Sequence, residues 1–301
     1  MIVCCGEALI DMLPARLPDG RGTFLPVPGG AIFNTAIALG RLGQDAALVS
    51  GISTDMFGEQ LMRALVASHV DCSLAIRSGR PTTLAFVKLV EGAATYCFYD
   101  ENSAQRMVEP GFLPPLPART RALHFGGISL ISEPCGSAYE HAMMQAREKC
   151  FISIDPNPRP GFVTDEAAYR ARLARMIANS DLVKVSDEDL DWLFPGQPFQ
   201  TIADRWIAQG CALVVQTMGA RGARARSSRF DVAVPAVAVE VVDTIGAGDA
   251  FNAGLLAALQ ESGRLSKALI ATLPETEIET ALTFASAVAA DTVAHAGAHA
   301  P

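Results

Sequence analysis

Asp243-Thr244-Ile245-Gly246-Ala247-Gly248-Asp249-Ala250-Phe251 links a β-branched run, residues 237–242, to an apolar stretch with helical spacing that continues to about residue 259. Read as a strand-to-helix turn, its two glycines let backbone N–H groups converge on one point, where the helix N-terminus adds positive potential. Such a turn is an anion hole suited to a transferred phosphate. Phosphoryl transfer asks mainly for positioning and charge stabilisation, plus a base to accept the proton of the acceptor hydroxyl. Asp249 stands at the mouth of the hole, with Gly246, Ala247 and Gly248 forming its wall. Taken alone, the pattern is also that of a glycine-rich turn whose aspartate caps a helix. Other phosphate motifs fail: the chain has no G-x-x-x-x-G-K-[ST], and Phe251 stands where a dinucleotide fingerprint needs glycine.

Outward from this turn, short β-branched runs alternate with longer amphipathic stretches. Residues 2–5, 46–50, 122–125, 151–154, 182–185 and 212–216 read as buried strands, and residues 33–42, 58–67, 137–149, 166–178 and 201–209 carry helical spacing. This order implies a mainly parallel sheet with helices on both faces, and a ligand site beyond the carboxyl ends of the strands. Residues 82–90 and 95–99 break the rhythm as a hairpin joined by Glu91-Gly92-Ala93-Ala94. It is a candidate lid, an oligomer contact or an edge extension of the sheet. Residues 110–117, rich in proline, read as a connecting loop.

Half of the 301 residues are hydrophobic and 19% are charged, which suits a compact enzyme and excludes a disordered chain. A formal charge of −8 argues against nucleic acid or an anionic membrane as partner. No apolar run reaches the ~20 residues of a membrane span. The N-terminus reads as a first strand rather than a signal peptide. The seven cysteines are scattered, odd in number and without a C-x-x-C pair, so reduced thiols in a cytoplasmic protein are expected.

Asp243 to Asp249 resembles a signature of the PfkB/ribokinase family of carbohydrate kinases. The family's other signature is matched by Gly29-Gly30-Ala31-Ile32-Phe33-Asn34-Thr35-Ala36, leading to Gly40-Arg41-Leu42-Gly43. The likeness continues through Gly51-Ile52-Ser53-Thr54-Asp55-Met56-Phe57-Gly58, Asp155-Pro156-Asn157 and Thr217-Met218-Gly219-Ala220-Arg221-Gly222, and so covers nearly the whole chain. Gly6-Glu7-Ala8-Leu9-Ile10-Asp11 and Phe98-Tyr99 are most similar to bacterial fructokinases. The resemblance implies a single ribokinase-like three-layer α/β/α domain over residues 1–301. A small β lid is expected from the loop at about 12–28 and from the segment 72–100.

Carboxylate and amide groups in a dry pocket are what sugar hydroxyls require. Asp11 follows an apolar strand and Asn34 is polar on an apolar helix, although alone they read equally as an Asx turn and a helix cap. By the resemblance Asp11, Gly30 and Asn34 bind the sugar, with Phe98 beside it and Arg159 reaching substrate or phosphate. By the same resemblance the loop with Thr217, Gly219 and Gly222 wraps the nucleotide phosphates through its backbone. Ser186 and the late-helix Ser286 are further nucleotide contacts. The expected reaction moves the γ-phosphoryl group of ATP to a ketohexose, fructose first, with Asp249 as base. A 2-keto-3-deoxygluconate or riboside kinase is the sister reading, and an idle sugar sensor the reading of another class.

The sequence departs from the family's pattern twice. Ser186-Asp187-Glu188-Asp189 stands where relatives show Asn-x-x-Glu, so Asp189 inherits no metal role, and Mg²⁺ is expected to enter with ATP. K⁺ is a further candidate ion. Asp100 stands where many relatives carry arginine, which disfavours a substrate carboxylate. His124 is expected to be a satisfied core histidine, and His295 and His299 to lie in a mobile tail. The protein is expected to be a monomer or a homodimer.

Overall fold

The structure, a computed structural model, describes residues 1–90 and 93–295. The chain opens with β1 (Ile2–Cys5), buried along its whole length. Next come a hairpin of β2 (Leu9–Arg16) and β3 (Gly22–Gly29), then α1 (Ala31–Arg41) and β4 (Ala46–Val49). A short pair, β5 (Gly51–Ser53) and β6 (Ile76–Ser78), brackets α2 (Met56–Ala67), and β7 (Leu84–Val90) and β8 (Ala93–Tyr99) form a second hairpin. Strand–helix alternation follows as β9 (Ala122–Gly126), α3 (Cys135–Ala146), β10 (Phe151–Asp155), α4 (Glu166–Ile177) and β11 (Leu182–Ser186). It continues with α5 (Asp187–Leu193), α6 (Phe199–Ala208) and β12 (Leu213–Thr217), then the hairpin β13 (Ala223–Arg226) and β14 (Asp231–Val234). Three helices end the fold: α7 (Ala247–Glu261), α8 (Lys267–Ile270) and α9 (Glu275–Val293).

Eight strands form one sheet in the order β14-β13-β12-β11-β10-β9-β1-β4. From β4 to β12 the pairing is parallel, and β13 and β14 add an antiparallel edge. Alternate residues of each parallel strand serve two cores. Ile2, Cys4, Leu48, Phe151 and Leu213 meet α1, α7 and α9, whereas Val3, Ala47, Val49, Ile152 and Val214 meet α3, α4 and α6. This three-layer arrangement is the expected one. It also explains why these strands read as continuous apolar runs.

A smaller sheet, in the order β3-β2-β7-β8, joins the two hairpins expected as lid elements. Residues 12–28, expected as a loop, are mostly strand, because Asp19 and Gly20 close a tight turn between β2 and β3. Residues 72–83 of the expected lid segment lie elsewhere, with β6 paired to β5. Ala93 and Ala94, expected in the hairpin turn, belong to β8, while Glu91 and Gly92 lie outside the described residues. On β8 Cys97 is exposed; Cys72 is half-buried, and Cys4, Cys5, Cys135, Cys150 and Cys211 are buried, all as free thiols.

The strand expected over residues 237–242 is absent. Val241 and Val242 are 61% and 59% exposed, and the run lies against the end of α9, with Val242 N donating to Val293 O at 2.8 Å. Valine favours a strand only where a neighbouring strand and a packed face exist, and neither is available here. Residues 110–117 form the expected connection, with one 3₁₀ turn at its start. His124 is a buried core residue whose Nδ1 lies 3.1 Å from Ser153 Oγ. His295 closes α9, with its ring against Asp291 O at 2.7 Å, and His299 lies outside the described residues.

Candidate active site

Where the parallel strands end, their carboxyl-terminal loops meet the lid sheet and the first turn of α7. Gly246 precedes that turn in the left-handed conformation, φ 81°, and among the described residues no side chain caps the helix. An L side chain resists that backbone angle, which accounts for the first glycine of the motif. Ala247 N reaches back to Thr244 O in a long 3.3 Å bond, and the N–H groups of Gly248 and Asp249 that follow are without a backbone acceptor among the described residues, with the helix dipole behind them.

Asp249 sits in this turn, 7% exposed. Its Oδ2 accepts from Asn34 Nδ2 of α1 at 2.9 Å, and its carbonyl lies 3.3 Å from Thr35 Oγ1. Burial, reinforced by the charge of Asp155, pushes its carboxyl up to about 6, while the Asn34 hydrogen bond, Lys184 and Arg159 oppose the rise. The carboxyl therefore titrates close to neutrality, as a general base requires.

Asp11, on β2, faces the same space. Burial and the charges of Asp249 and Glu7 push it up to about 7, against the pull of Arg159. Its carboxylate lies tight under Gly29, where any side chain would collide with it. Gly30 follows with φ 106° and serves as the N-cap position of α1 without a capping side chain. That cap comes instead from Glu7, whose Oε1 accepts from Ala31 N at 3.0 Å while Oε2 accepts from Ser129 N at 3.3 Å. Burial pushes the Glu7 carboxyl up in spite of its bonds to Ser129.

The lid supplies aromatic cover. Tyr96 stacks on Phe98 at 5.8 Å, and Phe98 meets Phe162 at 4.8 Å. The Arg159 guanidinium lies 5.7 Å from the Tyr96 ring centre, and its Nη1 donates to Pro158 O at 3.1 Å and to the Asn157 side chain. Burial pushes the Tyr96 hydroxyl up, with Arg159 opposing and Asp11, Asp249 and Asp243 adding to the rise. Tyr96, Asp11, Arg159 and Asp249 therefore share one electrostatic compartment.

Ser186 and Thr217 are paired neighbours at the ends of β11 and β12. Gly219 lies in the turn after β12, which Gly222 closes at φ 92°, with no room for a side chain before the backbone of residues 234–236. Ser186 caps α5 in a reciprocal pair: Asp189 N donates to Ser186 Oγ at 3.0 Å and Ser186 N to Asp189 Oδ2 at 3.1 Å. Burial and the charge of Asp155 raise the Asp189 carboxyl. Ser286 is buried on α9, next in sequence to Ala285, against which Gly254 of α7 packs.

Asp100 does not stand over the site as expected. It is buried at the foot of the lid, where Arg106 Nη1 and Ser132 Oγ each donate to it at 2.9 Å. No cluster of three or more His, Cys, Asp or Glu able to hold a metal is present among the described residues. An ATP-bound Mg²⁺ would have to draw its ligands mainly from phosphate and water, which Mg²⁺ readily retains. The uncapped α7 turn fits the phosphates themselves.

The comparisons with known proteins agree with this geometry. The model of the pfkB family carbohydrate kinases matches residues 1–301. The chain belongs to that family. It is 52% identical over 275 residues to a fructokinase of Rhizobium leguminosarum bv. trifolii, covering 91% of this chain and 84% of that one. A crystal structure of a fructokinase with bound ATP from Xylella fastidiosa superposes with a TM-score of 0.89 at 29% identity, over 99% of this chain and 93% of that one. A double mutant of a fructokinase from Vibrio cholerae O395, in fructose, ADP and potassium ion bound form, gives a TM-score of 0.85 at 27% identity, over 99% and 93% of the two chains. The carbohydrate kinase fold read from two glycine-rich motifs is thus the fold of the whole chain.

The places of Tyr96 and Glu7 beside Asp11 and α1, and the contacts of Asp155, were not legible in the sequence. Tyr96 had one signal: it stands two residues before Phe98 on a strand, and so on the same face.

Proposed function

We propose that this protein transfers the γ-phosphoryl group of ATP to fructose. The observation that carries this reading is Asp249, held by Asn34 at the first turn of a helix whose N-terminus no side chain caps. In this reading fructose lies between Asp11, Gly30 and Asn34 under Phe98, with its acceptor hydroxyl toward Asp249. Asp249 removes the hydroxyl proton as the phosphoryl group moves, and the N–H groups of Gly246, Ala247 and Gly248 hold the developing charge. Thr217, Gly219 and Gly222 line the phosphate side, and Ser186 and Ser286 are the further nucleotide contacts. ATP supplies the phosphoryl group; Mg²⁺ enters with it, and K⁺ supports the site as a second ion. A cytoplasmic enzyme is part of this reading, supported by seven scattered cysteines without a disulfide. Among the described residues no helix is long and apolar enough to cross a membrane.

Electrostatics select a neutral sugar. Asp11, Asp249 and Glu7 face one guanidinium, Arg159, which is already engaged by Asn157 and Pro158, and the nearby Lys184 ammonium is paired with Asp155. A substrate carboxylate would enter a negative, largely desolvated site, at a cost of several kcal/mol. Asp100, whose charge is committed to Arg106, is not the cause. Assays of kcat/KM test the reading: fructose should exceed 2-keto-3-deoxygluconate by at least ~10-fold, about 1.4 kcal/mol of discrimination. The reverse preference, lost in Arg159→Ala, would instead assign Arg159 to a substrate carboxylate and the protein to the sister kinases.

A further inference from the structure

A buried lysine lies beneath the α7 turn. Lys184 stands on β11, two residues after Leu182 and therefore on the sheet face that packs against α1 and α7. Its side chain is 4% exposed, and Nζ donates to Asp155 Oδ2 at 2.9 Å. The same carboxylate oxygen accepts from Asn252 Nδ2 of α7 at 2.7 Å, and Asp155 Oδ1 is buried without a partner among the described residues. A β-carbon built on Gly248 would lie 3.1 Å from Lys184 Nζ. The ammonium therefore rests against the underside of the second glycine of the turn.

Burial works against this charge, yet the carboxylates of Asp155, Asp189 and Asp249 outweigh it and hold the ammonium above the usual lysine range. Stability alone does not account for such a pair. Replacing a buried ion pair by well-packed apolar residues is often neutral or stabilising. A fixed positive charge under an anion hole, shielded from water, acts strongly on whatever anion the hole receives.

We propose that Lys184 is a positioning residue for phosphoryl transfer: its ammonium, seated by Asp155 against the underside of Gly248, charges the anion hole from below and, through Asp155 and Asn252, fixes the start of α7. The inference rests on reading the α7 turn as the phosphoryl site. It also bears on the second glycine of the motif, where a side chain would press on the ammonium, while the first is explained by its backbone angle.

The test compares wild type, Lys184→Met, Asp155→Asn and the double variant Lys184→Met/Asp155→Asn. The double variant removes both members of the buried Lys184–Asp155 pair, should Lys184→Met alone fail to fold. Each folded protein is titrated with ADP alone and with ADP plus aluminium fluoride, in the presence of fructose, and assayed for turnover. The expected result is that removing the ammonium, counted from Asp155→Asn to the double variant, weakens ADP–aluminium fluoride at least ~10-fold and lowers kcat at least ~10-fold, with ADP alone and the KM for fructose within about 3-fold. A smaller loss in either quantity, or an equal loss for ADP alone, overturns the proposal. Asp249→Asn, assayed alongside, separates the two failures: normal turnover there would sink the phosphoryl-site reading itself, whatever Lys184 does.

Discussion

Asn34 Nδ2 donates to Asp249 Oδ2 at 2.9 Å, tying the first turn of α1 to the first turn of α7. The bond favours the charged form of a carboxyl that burial has pushed up to about 6. Turnover should therefore fall as pH drops through about 6, where Asp249 gains a proton. Asn34→Ala removes a stabiliser of the carboxylate, so the acid limb of kcat/KM should move to higher pH. A limb that stays put, or moves lower, would show that another group sets it.

Replacing Asp249 by Asn keeps the size of the side chain and its contact with α1 but removes the base. General-base help is worth ~10²–10⁴-fold, or roughly 3–5 kcal/mol of barrier. Asp249→Asn should lose kcat on this scale and leave ATP affinity, measured by calorimetry, nearly unchanged. More than about a tenth of wild-type kcat would remove Asp249 from the role.

Asp11 makes the site costly to keep. Its carboxyl is raised from 3.8 to about 7 by burial and by Asp249 and Glu7, so the charged form is disfavoured in the folded state. An acid with a raised folded pKa destabilises the fold above that pKa, and the cost fades as pH falls toward the unfolded value. Asp11→Asn should therefore raise the melting temperature at pH 8 and do so much less at pH 4, with a gain of no more than about 4 kcal/mol. It should at the same time raise the KM for fructose. Equal melting shifts at both pH values would contradict this origin of the strain.

Glu7 reaches two backbone donors on different elements, Ala31 N at the start of α1 and Ser129 N in the turn after β9. Glu7→Gln sets an amide N–H against one of them, leaving a buried donor without a partner at a cost of ~1–3 kcal/mol. The expected outcome is a lower melting temperature together with a several-fold higher KM for fructose, because Gly30 and Asn34 move with α1. An unchanged KM would mean that Glu7 serves folding alone.

What the sequence made legible was what burial on both sides enforces. Residues 151–154 and 182–185 read as strands because the apolar residues between their ends serve two cores, and α7 read as a helix from its apolar length. Helix starts at 33, 58 and 137 were read two residues late, since Ala31, Met56 and Cys135 precede the periodic apolar positions. The valine run at 237–242 misled because β-propensity reports a packed surface that only the tertiary fold provides. The pairing of Lys184 with Asp155 was invisible for the opposite reason. Each lies in or at the end of a strand, and their meeting with Asn252 depends on how β10, β11 and α7 come together.

The uneven exposure of the thiols offers an experimental handle on the lid. Cys97 lies exposed on β8, the edge strand of the small sheet, whereas burial pushes up the thiols of Cys4, Cys5, Cys135 and Cys211. Only the thiolate reacts with maleimides and related reagents at useful rates, so a brief exposure to dye should mark Cys97 first. The native chain thus carries its own attachment point for a fluorophore. Its emission would follow the edge strand as fructose and nucleotide are added, without any engineered cysteine.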